Sequence, residues 1–323
     1  MILAAVLAFS FCGCDMLNNL PGFGEKEEPD EPINVPEVLE PIDPNWPVTA
    51  FGTELEKAPE KVAVASPALA EYISDMGLME KVCAVSDYCS FSGSSALPSI
   101  GSVRLPDMEA IKAAAPEYIL TFSAYEEATL IELQQMNISV IVINAPQSLD
   151  ELREIYRQTA LFFKGAVDGV PYGEDYVAEY DLTLSSLAYS GEKKTAAFVR
   201  GLDYTMITAD SMAGELLASA GFINAAGEAT GYTFPEDEEG WKDFDPAVIF
   251  LNPDIHLIDL ETSDLYKKKS AVKGDLVFNA DFDSIAVCSK RSFAIIKDML
   301  ATVYADYTQG TPLEPAYPSM YKS

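Results

Sequence analysis

One histidine and five cysteines are the whole supply of imidazole and thiol in this 323-residue chain, and that scarcity excludes much chemistry. A Ser-His-Asp triad would have to use His256, and a zinc site built on several His or Cys has little to draw on. His256 stands in Pro253-Asp254-Ile255-His256-Leu257, beside an apolar strand, and reads as structural. Cys83, Cys89 and Cys288 are odd in number, so any single bridge among them leaves one thiol free. Cys89 follows Tyr88 after a strand, where a thiolate would lie close to a loop that can ligate metal. Carboxylates dominate, with 51 Asp+Glu against 21 Lys+Arg and a net charge of −30. That balance excludes nucleic acid as a partner, because phosphate binding needs clustered bases.

Two of the carboxylates stand out by spacing. Glu109 precedes Pro116 by seven residues with Lys112 between them, and Glu239 precedes Pro246 by seven with Lys242 between them. In both places a strand follows at once, Tyr118-Ile119-Leu120 in one and Val248-Ile249-Phe250 in the other. The echo pairs Arg104 with Phe234, each five residues ahead of its Glu, and Trp241 with Ile111, which puts Trp241 in a core.

The elements that must position these residues alternate. The patterns predict strands at 61–66, 81–86, 118–122 and 140–143, with helices at 68–76 and 128–136 between them. Residues 172–189 are helix-compatible throughout. Beyond Gly191 the alternation resumes with a strand at 195–200, a helix at 212–220 and a strand at 248–251, and a helix at 290–304 closes the chain. Strands alternating with helices of this length imply parallel sheets covered on both faces.

Ahead of the folded part, residues 2–11 form an apolar run of signal-peptide length, too short for a stable span. The sequence Phe11-Cys12-Gly13-Cys14-Asp15 resembles a bacterial lipobox, with Cys14 as the acylated residue. Residues 15–59 hold eleven Asp/Glu, two Lys and eight Pro, a composition that predicts an extended, solvated tether.

Read as a whole, the chain resembles the substrate-binding proteins of ABC importers for ferric siderophores, haem and vitamin B12. The resemblance is carried by Ser66-Pro67-Ala68 with Glu71, Val85-Ser86-Asp87-Tyr88, Leu97 to Ser102, and Pro106 to Ile111 before Ala115-Pro116. In the second half it is carried by Ala213 to Leu217 with Ala220-Gly221, and by Ala271 to Val277. It implies two Rossmann-like α/β lobes (60–170 and 191–323) joined by a single long rigid helix (171–190), with a ligand cleft between the lobes, behind a lipoprotein signal peptide (1–14) and the tether (15–59). It also implies docking of Glu109 and Glu239, one per lobe, onto arginines of a permease dimer. Tyr88 matches a position where the vitamin B12-binding relative uses an aromatic, and strand-end loops are where ligands bind open α/β sheets. Arg104, Phe234, Arg200 and Tyr204 complete the expected ligand contacts.

The expected function is capture of a small-molecule metal chelate without chemistry. A corrinoid ranks ahead of a ferric siderophore, and haem comes third. No covalent cofactor and no protein-held metal are expected, because the related metal-ion branch uses a His-rich site. The expected location is the outer face of the cytoplasmic membrane, reached only through a lipid anchor. A surface-anchored hydrolase using paired carboxylates and a ligand sensor using the same cleft are the alternatives.

Overall fold

The computed structural model describes residues 43–227, 229–231, 241 and 243–316. Its first elements are a hairpin of β1 (Val48–Ala50) and β2 (Thr53–Leu55), paired antiparallel. Residues 43–59 were expected to belong to the tether, and this is a correction: Trp46, Ala50 and Leu55 are buried in the main core. The Pro and acid density that suggests an extended segment surrounds three apolar side chains that anchor it.

The first lobe follows as β3 (Val62–Val64), α1 (Pro67–Asp75), β4 (Val82–Val85), α2 (Met108–Ala114), β5 (Tyr118–Thr121), α3 (Glu127–Gln135) and β6 (Ser139–Val142). Its four strands are all parallel, in the order β4-β3-β5-β6. β3 lies in the middle of the sheet and all three of its side chains are buried. Local chemistry sets the helix starts. Pro67 opens α1, and Asp107 Oδ1 accepts from the Ala110 N–H at 2.9 Å to cap α2.

The second lobe contains β7 (Thr195–Val199), α5 (Met212–Ala220), β8 (Ile223–Asn224), β9 (Val248–Leu251), α6 (Leu257–Thr262), α7 (Ser270–Lys273), β10 (Val277–Asn279), α8 (Phe282–Val287) and α9 (Lys290–Val303). Its sheet is again parallel, in the order β10-β9-β7-β8. Ser211 and Asp281 cap α5 and α8 through the N–H groups of Gly214 and Ser284, each at 3.0 Å. His256 is exposed, and its N–H donates to the Asp259 carboxylate at 2.8 Å at the start of α6.

Between the lobes lies α4 (Leu149–Leu187), which begins well before the connector helix expected at 171–190. Gly165 has φ 76° and ψ −170°, which breaks the helix into arms of residues 149–164 and 166–187. Side chains from the two arms meet in antiparallel order. Arg153 pairs with Asp181 at 2.8 Å and Arg157 with Glu174 at 2.8 Å, while the rings of Tyr156 and Tyr176 lie 4.8 Å apart. The connector is therefore a helical hairpin, and its return arm carries the chain into the second lobe. One continuous core joins the hairpin, the connector and one face of each sheet, and separate clusters fill the two outer faces.

Candidate functional site

At the carboxyl end of the first sheet, three strand-end loops converge on an open hollow of about 670 Å³. Its lining includes Ser66, Ser102, Arg104, Ser123 and Glu126. Ser66, just past β3, accepts from the Phe122 N–H at 2.8 Å and so ties that loop to the one after β5. Thr121 fixes the next turn, its hydroxyl donating to the Ser123 carbonyl at 2.9 Å. The third loop ends in a tight turn, with Ser102 and Leu105 exchanging two backbone hydrogen bonds of 3.1 Å. That turn holds Arg104 at its exposed tip.

Two large apolar side chains stand in solvent beside this hollow. Leu105 is 80% exposed and Tyr88 is 90% exposed. Tyr88 has φ 66°, a left-handed backbone uncommon for an aromatic residue. Its neighbour Asp87 donates its N–H to the Gly101 carbonyl at 3.1 Å and accepts from Ser99 Oγ at 2.5 Å. The two ends of this β4–α2 connection, one bearing Tyr88 and the other Arg104, are thereby held together. A smaller hollow of about 370 Å³ at the sheet's edge, between Phe51, Val142, Glu154 and Gln158, has no cation in its lining.

The second lobe reaches this region through α9. Arg291 donates to Ser90 Oγ at 2.8 Å, two residues beyond Tyr88, and to the Glu71 carboxylate at 3.0 Å. Glu71 is 5% exposed and also accepts from Ser289. Asp75 accepts from the Lys290 N–H at 2.9 Å, and its burial raises its pKa despite that bond. Sequence reasoning noted Glu71 but gave it no role. The available signal was a lone acid within the apolar run Leu69-Ala70-Glu71-Tyr72-Ile73.

The remaining expected contacts divide. Arg200 lies past β7 and pairs with Asp283 at 3.1 Å. Tyr204 is half-buried, its ring edge-on to Trp241 at 5.2 Å. Trp241 itself stacks on Phe244 at 4.7 Å within the second lobe's outer cluster. Glu109 is exposed in the first turn of α2. Phe234, Glu239 and Cys14 lie outside the described residues. Burial raises the pKa of the Cys89 thiol, against its hydrogen bonding with Ser86. Among the described residues no group of three or more His, Cys, Asp or Glu is placed to hold a metal, and no helix is long and apolar enough to cross a membrane.

Residues 62–283 match the family described as periplasmic binding protein. No curated protein sequence matches the chain. Among solved structures, a possible iron-binding (periplasmic solute-binding) protein from Staphylococcus epidermidis is 16% identical, over 77% of this chain and 100% of that one, with a TM-score of 0.63. The periplasmic heme binding protein HutB of Vibrio cholerae is 15% identical, over 76% and 98%, with a TM-score of 0.63. The periplasmic vitamin B12 binding protein BtuF of Vibrio cholerae is 16% identical, over 75% and 96%, with a TM-score of 0.55. At such identities these likenesses bear on the fold.

Proposed function

We propose, because the chain belongs to the periplasmic binding protein family, that it captures a metal chelate outside the cytoplasm and delivers it to an ABC importer. The cargo class is corrinoid or ferric siderophore, with haem less favoured. The observation that carries the reading is the hollow at the carboxyl ends of the first sheet, with Arg104 on its wall and Tyr88 and Leu105 standing out beside it. Exposed aromatic and aliphatic side chains next to a cation and several hydroxyls suit a bulky ligand with an apolar face and a polar rim. Arg200, Tyr204 and Phe234 are the contacts proposed from the second lobe.

Fluorescence quenching of the full chain by cobalamin, haem and ferric siderophores tests this. One of them is expected to bind below roughly 10 μM, equivalent to about 7 kcal/mol of binding free energy. If all fail, the chelate reading is lost.

Acylation of Cys14 would hold the protein at the outer face of the cytoplasmic membrane, leaving the folded part free to meet a permease dimer. In that meeting Glu109 and Glu239 are the proposed contacts, as carboxylates suited to charge-assisted pairs with arginine. Exchanging both for arginine is expected to abolish uptake by cells while the purified protein keeps its affinity for cargo. A variant that instead loses affinity would assign these carboxylates to the cleft or the fold.

A further inference from the structure

We infer that the cargo is an uncharged chelate with amides on its rim, and that the cleft discriminates against dianionic and trianionic chelates. The inference rests on the hollow being the cargo site. Five arginines occur in the chain, and four of them face carboxylates: Arg153 with Asp150 and Asp181, Arg157 with Glu154 and Glu174, Arg200 with Asp283, and Arg291 with Glu71. Among the described residues Arg104 alone of the five has no carboxylate within ion-pair distance. It lines the hollow together with Glu126, and the lining contains no lysine.

The formal charge of that lining is therefore zero, one guanidinium offset by one carboxylate. The other polar side chains there are the neutral hydroxyls of Ser66, Ser102 and Ser123. A primary or secondary amide answers this set well. Its carbonyl accepts from Arg104 and its N–H donates to Glu126, so neither charged group is covered without a partner. Two propionates or three catecholates would find one guanidinium not already facing a carboxylate, since Arg200, the other proposed contact, pairs with Asp283, and they would lie against Glu126 as well. The net charge of −30 adds long-range repulsion to any anion approaching the surface. Tyr88 and Leu105 supply apolar contact that is indifferent to charge.

The test uses four probes with the full chain at low ionic strength. Cyanocobalamin and ferrichrome are uncharged and carry amides; haem has two propionates, and ferric enterobactin is a trianion. At least one uncharged probe is expected to bind about tenfold or more tightly than both anionic ones, the size of one or two unscreened like-charge contacts near a surface. Added salt should narrow the gap. Glu126 is exposed, so Glu126→Lys leaves the fold intact and is expected to shift the ratio toward the anions by about tenfold. Haem or ferric enterobactin binding as tightly as the uncharged pair, or a ratio that Glu126→Lys does not move, overturns the inference while leaving capture of a chelate standing. Failure of all four probes to bind overturns the chelate reading, and this inference falls with it.

Discussion

Replacing Gly165 by alanine is expected to cost about 3–5 kcal/mol of stability, combining backbone strain, a clash and a lost cap. Gly165 has φ 76° and ψ −170°, a region that residues with a Cβ essentially never occupy. A Cβ there would lie 2.5 Å from Asn45 Cβ and 2.6 Å from the Asn45 carbonyl oxygen, so either the turn or the amino-terminal segment must move. The segment has reason not to move. Asn45 accepts from the Ala166 N–H through its main-chain oxygen at 3.0 Å, and from the Val167 and Asp168 N–H groups through Oδ1 at 3.0 and 2.9 Å. It thus caps the return arm of α4 from far away in sequence. Urea unfolding reads the loss. Asn45→Ala removes the side-chain cap without straining the turn, and is expected to cost only about 1 kcal/mol. Equal losses for the two variants would show that the turn tolerates a side chain and that the cap alone matters.

The same region shows where sequence reasoning ran short. Strands β3, β5, β7 and β9 announce themselves as apolar runs bounded by turn residues, and α5 as the run that Gly221 closes. The β1–β2 hairpin does not, because its strands are three residues long and its turn is Phe51-Gly52. Both turn residues take positive φ, 51° and 73°, a job for which Asn-Gly or Asp-Gly is the readable signal. The break at Gly165 is hidden for another reason: both arms are helix-compatible, and it takes the contacts between them, such as Tyr156 with Tyr176 and Arg153 with Asp181, to show that they fold back.

At the candidate site the division is similar. Tyr88 and Arg104 follow strands or precede the repeated Glu spacing, so local pattern reached them. Ser66, Ser123 and Glu126 come together because β3 and β5 are neighbours in the sheet order, which no local pattern encodes. The pairing of Glu71 with Arg291 spans 220 residues and belongs to the packing of one lobe on the other.

That pairing supports the other large effect. Replacing Arg291 by methionine is expected to destabilise the protein by about 2–4 kcal/mol, because it removes one partner of a mostly buried ion pair. Methionine keeps the apolar stem but leaves the Glu71 carboxylate, 5% exposed, with Ser289 as its remaining donor. The Arg291 side chain is 39% exposed, so water can partly replace the guanidinium and the loss stays below that of a fully enclosed pair. The neighbouring bonds show why the effect reaches beyond one pair. Tyr72 donates to the Val287 carbonyl at 2.7 Å, Tyr180 to the Cys288 carbonyl at 2.9 Å, and the Lys290 N–H to Asp75 at 2.9 Å. Residues 287–291 are thus a single strip of the second lobe fastened to α1 and α4, and Arg291 extends it to Ser90 on the Tyr88 loop. Loosening the strip should therefore weaken cargo binding as well as the fold. Adding Glu71→Gln to Arg291→Met removes the stranded charge, and should recover most of the lost stability but not the affinity, since Ser90 stays unheld. A double variant that regains neither would show that the stranded Glu71 charge is not the source of the loss; one that regains both would show that the tie to Ser90 does nothing for the cleft.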